Sequence, residues 1–423
     1  MNYYKEKTEL MPENQLQNLQ LTLLNKQLTQ AKKTKAYKDI LPKKINNLSE
    51  IENLPLTTKT DLLNRPLLDY CANSPEKIAR YNSTSGSTGN PIIIYFSKDD
   101  LKHIAKRSAR NLYMAGLRAG DVCQIIAPSN LHIGGWYFID GCLDINAPFY
   151  QTGAGNTLRQ IDFLKSLKPK FCFSTSGYFF HMLKTLSQKE IEEIALKGCV
   201  VGAEPTSDEV KFYIKEQFNI ELYDVYGLTE VGGPFAQDCS YHNGLHVPED
   251  NIYVEIIDPQ TGKVLPDGEL GELVVTPLHQ EIMPLIRYRT GDLTRIITGK
   301  CPCGRTHRRI DYIKDRIDNM MIINGVNVFP SKIEKIIYKY LPVGTDYLIH
   351  VLENEGLKKI LIDIEVSDDF INNKNYLEKL TSDLMLALKT GITVTPILNF
   401  VPAKTLNTSQ LKMKRIVKEI KNI

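Results

Sequence analysis

The sequence predicts an α/β protein: a large N-terminal unit built on parallel sheet, followed by a small α+β unit. Three observations carry this. Short apolar runs alternate with amphipathic stretches from about Asp99 to about Phe235. From Asn251 to Arg295 the chain becomes strand-rich and turn-rich. Roughly the last hundred residues restart with short mixed elements. Strands that alternate with helices favour a parallel sheet, because each crossover helix returns the chain to the same end.

Taken in order, residues 10–45 are rich in Leu, Gln and Lys at helical spacing and end at Leu41-Pro42, so they read as a helical arm with a packing face. Amphipathic helices are expected at Leu101–Ala115, Gln160–Leu167 and Asp208–Gln217. Strands are expected at Val122–Ile126, Phe171–Ser174, Cys199–Val201 and Glu221–Val225. The stretch Ile252–Asp258, the turn Pro259-Gln-Thr-Gly262 and Gly271–Thr276 suggest a separate β-subdomain. Beyond it come strands at Met320–Ile323, Asp346–Leu352 and Ile360–Val366, and helices at Ser331–Lys339 and Tyr376–Leu388.

Composition narrows the function classes. A length of 423 residues exceeds one compact domain. With 42% hydrophobic and 24% charged residues the chain can build real cores, which excludes disorder. A net charge of +3, from 52 basic and 49 acidic residues, supplies no field for a nucleic-acid partner. The N-terminus is polar and no apolar run is long enough to span a bilayer, so the expectation is a cytoplasmic protein without a membrane partner. Cys123, Cys142, Cys172 and Cys199 stand alone in apolar surroundings, as reduced buried thiols would.

Three segments carry chemistry. Tyr81-Asn-Ser-Thr-Ser-Gly-Ser-Thr-Gly-Asn-Pro91 runs directly into the apolar Ile92-Ile-Ile-Tyr95. Hydroxyls and glycines in series suit a polyanion, since glycine admits close backbone approach and the donors face phosphate oxygens. A flexible linker would not usually enter a strand so abruptly. Tyr223-Asp-Val-Tyr-Gly-Leu-Thr-Glu-Val-Gly-Gly-Pro234 ends a predicted strand, where open α/β sheets place ligands. It offers an aromatic face, a hydroxyl and a carboxylate suited to Mg²⁺ beside a triphosphate; it also reads as an ordinary strand corner. Tyr288-Arg-Thr-Gly-Asp292 presents a carboxylate that can accept from a ribose diol, though Asp is also a common turn residue.

These segments in this order, followed by Asp315-Arg-Ile-Asp318, resemble the acyl-adenylate-forming superfamily. Thr157-Leu-Arg-Gln-Ile161, Gly202-Ala-Glu-Pro205, Gly244-Leu-His246, Cys303-Gly-Arg-Thr-His-Arg-Arg309 and Ile323-Asn-Gly-Val-Asn-Val-Phe-Pro330 resemble its phenylacetate–CoA ligase branch. The resemblance implies a large adenylating domain over residues 1–317, with the β-subdomain at about 240–315, and a small mobile domain over residues 318–423. It implies ATP-dependent conversion of a small, aromatic carboxylic acid to an acyl-AMP, with Mg²⁺, and transfer to coenzyme A. Two other readings stay open: transfer to a carrier-protein thiol, and a binding homologue without activity. A homodimer is compatible with the branch.

The resemblance also assigns residues. Ser83, Ser85, Gly86, Ser87, Thr88 and Gly89 would hold the triphosphate. Gly202, Ala203 and Glu204, with Tyr226, would surround the adenine and the acyl end, and Asp224 and Gly227 would also belong to the cofactor-binding set. Thr229 would meet phosphate, Glu230 the Mg²⁺, and Asp292 the ribose, with Arg316 beside it. Asp318 would be the hinge. Lys412, in Ser409-Gln-Leu-Lys412, resembles the adenylation lysine, a cation placed where phosphate charge develops, and Lys414 is its rival. The chain departs from the family at Asn90, where a lysine usually follows the phosphate-loop glycine, and at Leu411, where a glycine usually precedes the catalytic lysine. Ser129, His132, Gly134 and Trp136 would line the acyl pocket, with His132 hinting at a polar substituent on the substrate. Cys239, His246, Cys301 and Cys303 would form a closed tetrahedral site for structural Zn²⁺, with His242 and His307 as alternative imidazoles.

Overall fold

The computed structural model describes residues 3–84, 91–153, 155–354, 357–403, 405–406 and 416–418. It divides into two compact units, Met1–Pro205 with Phe218–Tyr312, and Thr206–Gln217 with Ile313–Ile423. The changeover at Tyr312/Ile313 falls a few residues before the expected 317/318.

The first unit is built on one large mixed sheet. Its parallel half holds β3 (Cys123–Ile125), β4 (Phe149–Gln151), β5 (Phe171–Ser174), β6 (Gly198–Val201) and β7 (Glu221–Leu228), in the order β4-β3-β5-β6-β7. The central β5 and β6 are mainly apolar and buried at every residue, as strands covered on both faces must be. The sheet then reverses sense. β8 (Gly233–Asp238) returns antiparallel along β7, and β9 (Leu245–His246), β14 (Arg309–Ile310) and β13 (Ile296–Ile297) extend it. The reversal turns on Gly232 and Gly233, at φ 85° and 91°, conformations that glycine adopts without a Cβ clash. A side chain at Gly227 would meet Pro234 Cα at 2.3 Å, so β8 can approach β7 only because that residue is glycine.

Two smaller antiparallel sheets complete this unit's strands. One pairs β1 (Ile78–Ser83) with β2 (Ile93–Ser97); the other holds β10 (Ile252–Ile257), β11 (Gly271–Pro277) and β12 (Tyr288–Thr294). The expected β-subdomain at about 240–315 is thus divided. Only β10–β12 stand apart, because β9, β13 and β14 continue the backbone ladder that β8 leaves open. The N-terminal arm is the helix Glu13–Ala31, and it does more than pack. Its buried Gln20 and Gln27 and half-buried Gln30 donate to the carbonyls of Glu249, Gln280 and Glu281 at 3.1, 3.0 and 2.6 Å.

Several helices are not expected from the sequence, among them Ser176–Lys184 and the longer Ile133–Ile145. Ile133–Ile145 begins inside the stretch expected only as an acyl-pocket lining. Its glycines lower helix propensity but serve packing. A Cβ at Gly135 would meet Pro128 O at 2.6 Å, and one at Gly141 would meet Ser108 Oγ at 2.2 Å on the helix Lys98–Met114.

The second unit holds β15 (Asp315–Arg316), the hairpin β16–β17 (Met321–Ile323, Val326–Val328) and the sheet β20-β19-β18-β21 (Ile397–Pro402, Leu357–Val366, Tyr347–Asn354, Ile416–Lys418). The hairpin turns through Asn324 and Gly325, both left-handed at φ 48° and 85°, the pairing that a two-residue type I′ turn requires. The helices Pro330–Tyr340 and Lys374–Ile392 bury Ile333, Ile337, Leu384 and Leu388 in its core, with Ile349, Ile360 and Ile362 of the sheet. No helix among the described residues is long and apolar enough to cross a membrane.

Candidate functional site

The second and third chemical segments meet in the first unit. β7 ends where the sheet changes from parallel to antiparallel, and there the chain makes a short 3₁₀ turn, Thr229–Val231. Tyr226 donates to Asp292 Oδ2 at 2.7 Å, and Tyr288 donates to Glu230 Oε1 at 2.8 Å. Both carboxylates are buried. Asp292 is set by its own backbone N–H on Thr290 Oγ1, 3.0 Å, and Thr290 in turn donates to Leu273 O, 2.8 Å. Thr229 Oγ1 donates to Ser83 O at 3.4 Å, which brings the start of the Ser/Thr/Gly loop to the same place.

Ser83 also ties that loop to the stretch expected to line the acyl pocket, since its N–H donates to Leu131 O at 2.8 Å. The loop's base is closed by Thr84 N–H on Ile92 O and Ile92 N–H on Thr84 Oγ1, each 2.9 Å. Ser85, Gly86, Ser87, Thr88 and Gly89 lie outside the described residues, as do Lys412 and Lys414.

Other expected positions sort by their contacts. Asp224 lies within β7, paired in register with Val201. Gly202 permits close approach, because a Cβ there would meet Val225 O at 2.8 Å. Ala203 is left-handed at φ 70°. Glu204 accepts from Gly177 N–H at 2.6 Å and from Ser176 Oγ at 3.3 Å, at the start of the helix Ser176–Lys184, where a carboxylate also suits the helix dipole. In the acyl stretch, Ser129 Oγ accepts from Gln151, His132 occupies the N-cap position of the helix Ile133–Ile145 with no side-chain cap bond, and no atom among the described residues stands within 4 Å of a Cβ placed on Gly134. Trp136 donates to Asn130 O at 3.0 Å, with Arg80 over its ring at 4.7 Å. Arg80 is itself fixed by Asp140 at 2.7 Å. In the second unit Arg316 Nε donates to Asp318 Oδ1 at 2.8 Å, in a half-exposed pair of little energetic weight. The sequence reading gave no role to Tyr288, Gln280 or Arg107. Tyr288 stands in the quoted motif, but nothing local signals a partner 58 residues away.

The second cluster is also within the first unit. Cys239 follows β8, His246 lies in β9, and Cys301 and Cys303 belong to the loop between β13 and β14. One ligand atom from each lies within 4.8 Å of the others. Cys239 and Cys301 sulfurs are 3.7 Å apart, and Cys303 Sγ is 3.3 Å from His246 Nε2. The first distance is far too long for a disulfide. It matches the edge of a thiolate tetrahedron, about 3.8 Å when metal–sulfur bonds are ~2.3 Å. The neighbouring thiol Cys239 and the imidazole draw the Cys303 thiol down, and the same Cys239–Cys303 contact and burial push Cys239 up. The alternative imidazoles are engaged elsewhere. His242 sits between Asp238 at 3.0 Å and Glu221 at 2.9 Å, while His307 meets Glu249 N–H at 3.0 Å and Thr8 O at 2.9 Å. The donor set therefore fits one closed tetrahedral metal site.

Two buried carboxylates, Glu230 and Asp292, the Thr229 hydroxyl and the backbone of Ser83, which leads into the Ser/Thr/Gly loop, come together where β7 ends. The chain belongs to the AMP-binding enzyme family: that family model matches residues 9–279, and the AMP-binding enzyme C-terminal domain model matches residues 325–419. It is 32% identical to the phenylacetate-coenzyme A ligase of Thermus thermophilus over 87% of this chain and 85% of that protein. Among solved structures it resembles 2-hydroxyisobutyryl-CoA ligase with 2-HIB-AMP in the postadenylation state, at a TM-score of 0.90 and 25% identity over 99% of this chain and 93% of that one. The same ligase with 2-HIB-AMP and CoA in the thioesterification state aligns at a TM-score of 0.72, also at 25% identity, with 99% and 93% covered.

Proposed function

We infer that this chain is an AMP-forming acid–CoA ligase acting on a small aromatic carboxylic acid. A carboxylate oxygen of the acid attacks the α-phosphorus of ATP and pyrophosphate leaves. The CoA sulfur then attacks the acyl carbon, and AMP leaves carrying an oxygen from the acid. Activation by an acid–CoA ligase stands on the family and on relatives named as CoA ligases. The observation that carries the reading here is the pair of phenol–carboxylate bonds, Tyr226–Asp292 and Tyr288–Glu230, at the end of β7.

Within that frame the residues divide the work. Asp292 accepts from the ribose hydroxyls and Tyr226 presents its ring to the adenine. Thr229 and the Ser83–Gly89 loop meet the phosphates. Glu230 would hold Mg²⁺, which neutralises phosphate charge when bound. Lys412 supplies the cation at the bridging oxygens. Cys239, His246, Cys301 and Cys303 would hold a Zn²⁺ that fastens the loops, since a closed set leaves no position for substrate. The aromatic preference rests on Trp136 and on relatives named for phenylacetate.

A pyrophosphate-release screen over aryl and short-chain hydroxy acids, with and without CoA, tests the reading. Release with aryl acids, and thioester only when CoA is added, supports it. Turnover of short aliphatic hydroxy acids alone overturns the aromatic assignment, and no release with any acid overturns the activity.

A further inference from the structure

The two chemical motifs share a spacing that the function has not used. Tyr226 and Glu230 are four residues apart on one segment, and Tyr288 and Asp292 are four apart on the other. Each segment therefore brings one phenol and one carboxylate. The two bonds run in opposite directions: Tyr226 reaches across to Asp292 at 2.7 Å, and Tyr288 reaches back to Glu230 at 2.8 Å. Tyr288 is 3% exposed and Glu230 7%, so their bond is made away from bulk water; Asp292 is 6% exposed, but Tyr226 is only half-buried, so the second bond lies nearer the surface. A buried hydrogen bond to an ionised group is among the stronger ones, and a lone buried carboxylate would be costly.

The backbone under Glu230 is held in the same way. Gln280 Nε2 donates to Glu230 O at 2.8 Å, and Arg107 donates to Val231 O at 3.0 Å and Gly232 O at 2.8 Å. Three successive carbonyls of a three-residue turn and its cap are thus caught by buried side chains. Gln280 is in turn fixed by Leu285 N–H on its Oε1 at 3.3 Å, and its own carbonyl accepts from Gln27 at 3.0 Å. A short 3₁₀ turn has few hydrogen bonds of its own, so its orientation comes from these groups.

We propose that Tyr288 and Gln280 are positioning residues for Glu230: Tyr288 aims the carboxylate and Gln280 fixes the backbone that carries it. This rests on the reading of Glu230 as the Mg²⁺ carboxylate. The reciprocal bond from Tyr226 orients the ribose carboxylate separately, so the two phenols have different ligands to serve. Tyr288 serves the metal–phosphate end and Tyr226 the nucleoside end.

Calorimetric titration without the acid substrate separates the two, using Mg·ATP and, in parallel, metal-free AMP. Tyr288→Phe is expected to weaken Mg·ATP by roughly 10-fold, the loss of one hydrogen bond to a charged group, and to leave AMP affinity unchanged. Tyr226→Phe should weaken both ligands by similar factors. Gln280→Met keeps the volume and removes the donor, and should repeat the Tyr288→Phe pattern; it also serves if Tyr288→Phe does not fold. The proposal is overturned if Tyr288→Phe and Gln280→Met bind Mg·ATP as the parent does, or lose AMP and Mg·ATP equally. Glu230→Gln distinguishes the two failures. If it loses Mg·ATP while the positioning variants do not, only the positioning roles fall; if it too binds Mg·ATP normally, the metal assignment of Glu230 falls with them.

Discussion

The same two stretches of chain, residues 226–246 and 288–303, meet at two places in the first unit. At one, phenols meet carboxylates: Tyr226 with Asp292, and Tyr288 with Glu230. At the other, Cys239 and His246 meet Cys301 and Cys303. Each junction has three buried residues and one half-buried one, Tyr226 in the first and Cys303 in the second, so burial does not tell them apart. Their chemistry does. A phenol orients a carboxylate without neutralising it, which keeps anionic oxygen where the proposed function would bind a metal–phosphate group. Three thiols and an imidazole converge on one point and are complete once a metal is there. On the proposed function, one junction would exchange a ligand and the other would keep one. Activity and stability should therefore come apart under mutation.

The largest effect is expected at the catalytic cation. Lys412→Ala should lower acyl-AMP formation by roughly 10²–10³, as loss of a charge-stabilising group does, and leave the melting temperature and metal content unchanged. Pre-steady-state pyrophosphate release checks it; normal adenylation by this variant alongside loss in Lys414→Ala would move the assignment. The second junction should respond the other way. Stripping the metal with a chelator, or Cys303→Ser, should lower the melting temperature by several degrees, because a ligand that binds only the folded state stabilises it. The acid preference of the remaining folded enzyme should not change. Elemental analysis of protein purified without a metal-affinity tag should find about one zinc per chain, and fully folded, active protein with no metal ends the idea.

Smaller effects sharpen the contrast. Asp318 lies in the exposed turn Ile317–Asn319 and pairs with Arg316. If it is the pivot between half-reactions, Asp318→Pro fixes φ near about −65° and should slow thioester formation by roughly 10-fold or more, while sparing adenylation. Equal changes in both half-reactions would make Asp318 an ordinary turn residue. The smallest effect is expected from Trp136→Leu, which removes the ring under Arg80. A cation–π contact is worth about 0.5–1 kcal/mol at such a site, so the preference for aryl over short aliphatic acids should fall only a few-fold in competition assays.

Much of this architecture was legible along the chain. β5 and β6 are continuous apolar runs flanked by amphipathic helices, and such runs admit few other readings. The helix Ile133–Ile145 was not legible, because Gly134, Gly135 and Gly141 argue against a helix until the close approach of Ser108 and Pro128 is known. The β-subdomain was read too large for a related reason: whether β9 pairs with β8 depends on register across a turn, which local composition does not carry. At the site, the motifs pointed to Glu230 and Asp292 through family resemblance. Tyr288 and Gln280 could not be found that way, since their contacts with residue 230 span 58 and 50 positions. The choice among His242, His246 and His307 was likewise tertiary, decided by Asp238, Glu221, Glu249 and Thr8 taking up the other two rings.

The central claim is that the acid is activated through its own oxygen on the α-phosphorus and that CoA then displaces AMP. Following oxygen-18 from a doubly labelled acid, chosen from the release screen, through one turnover with ATP and CoA tests this most directly. The account predicts that the released AMP carries one labelled oxygen, that pyrophosphate carries none, and that the thioester keeps the other label. Label in inorganic phosphate, with ADP as the nucleotide product, would contradict it.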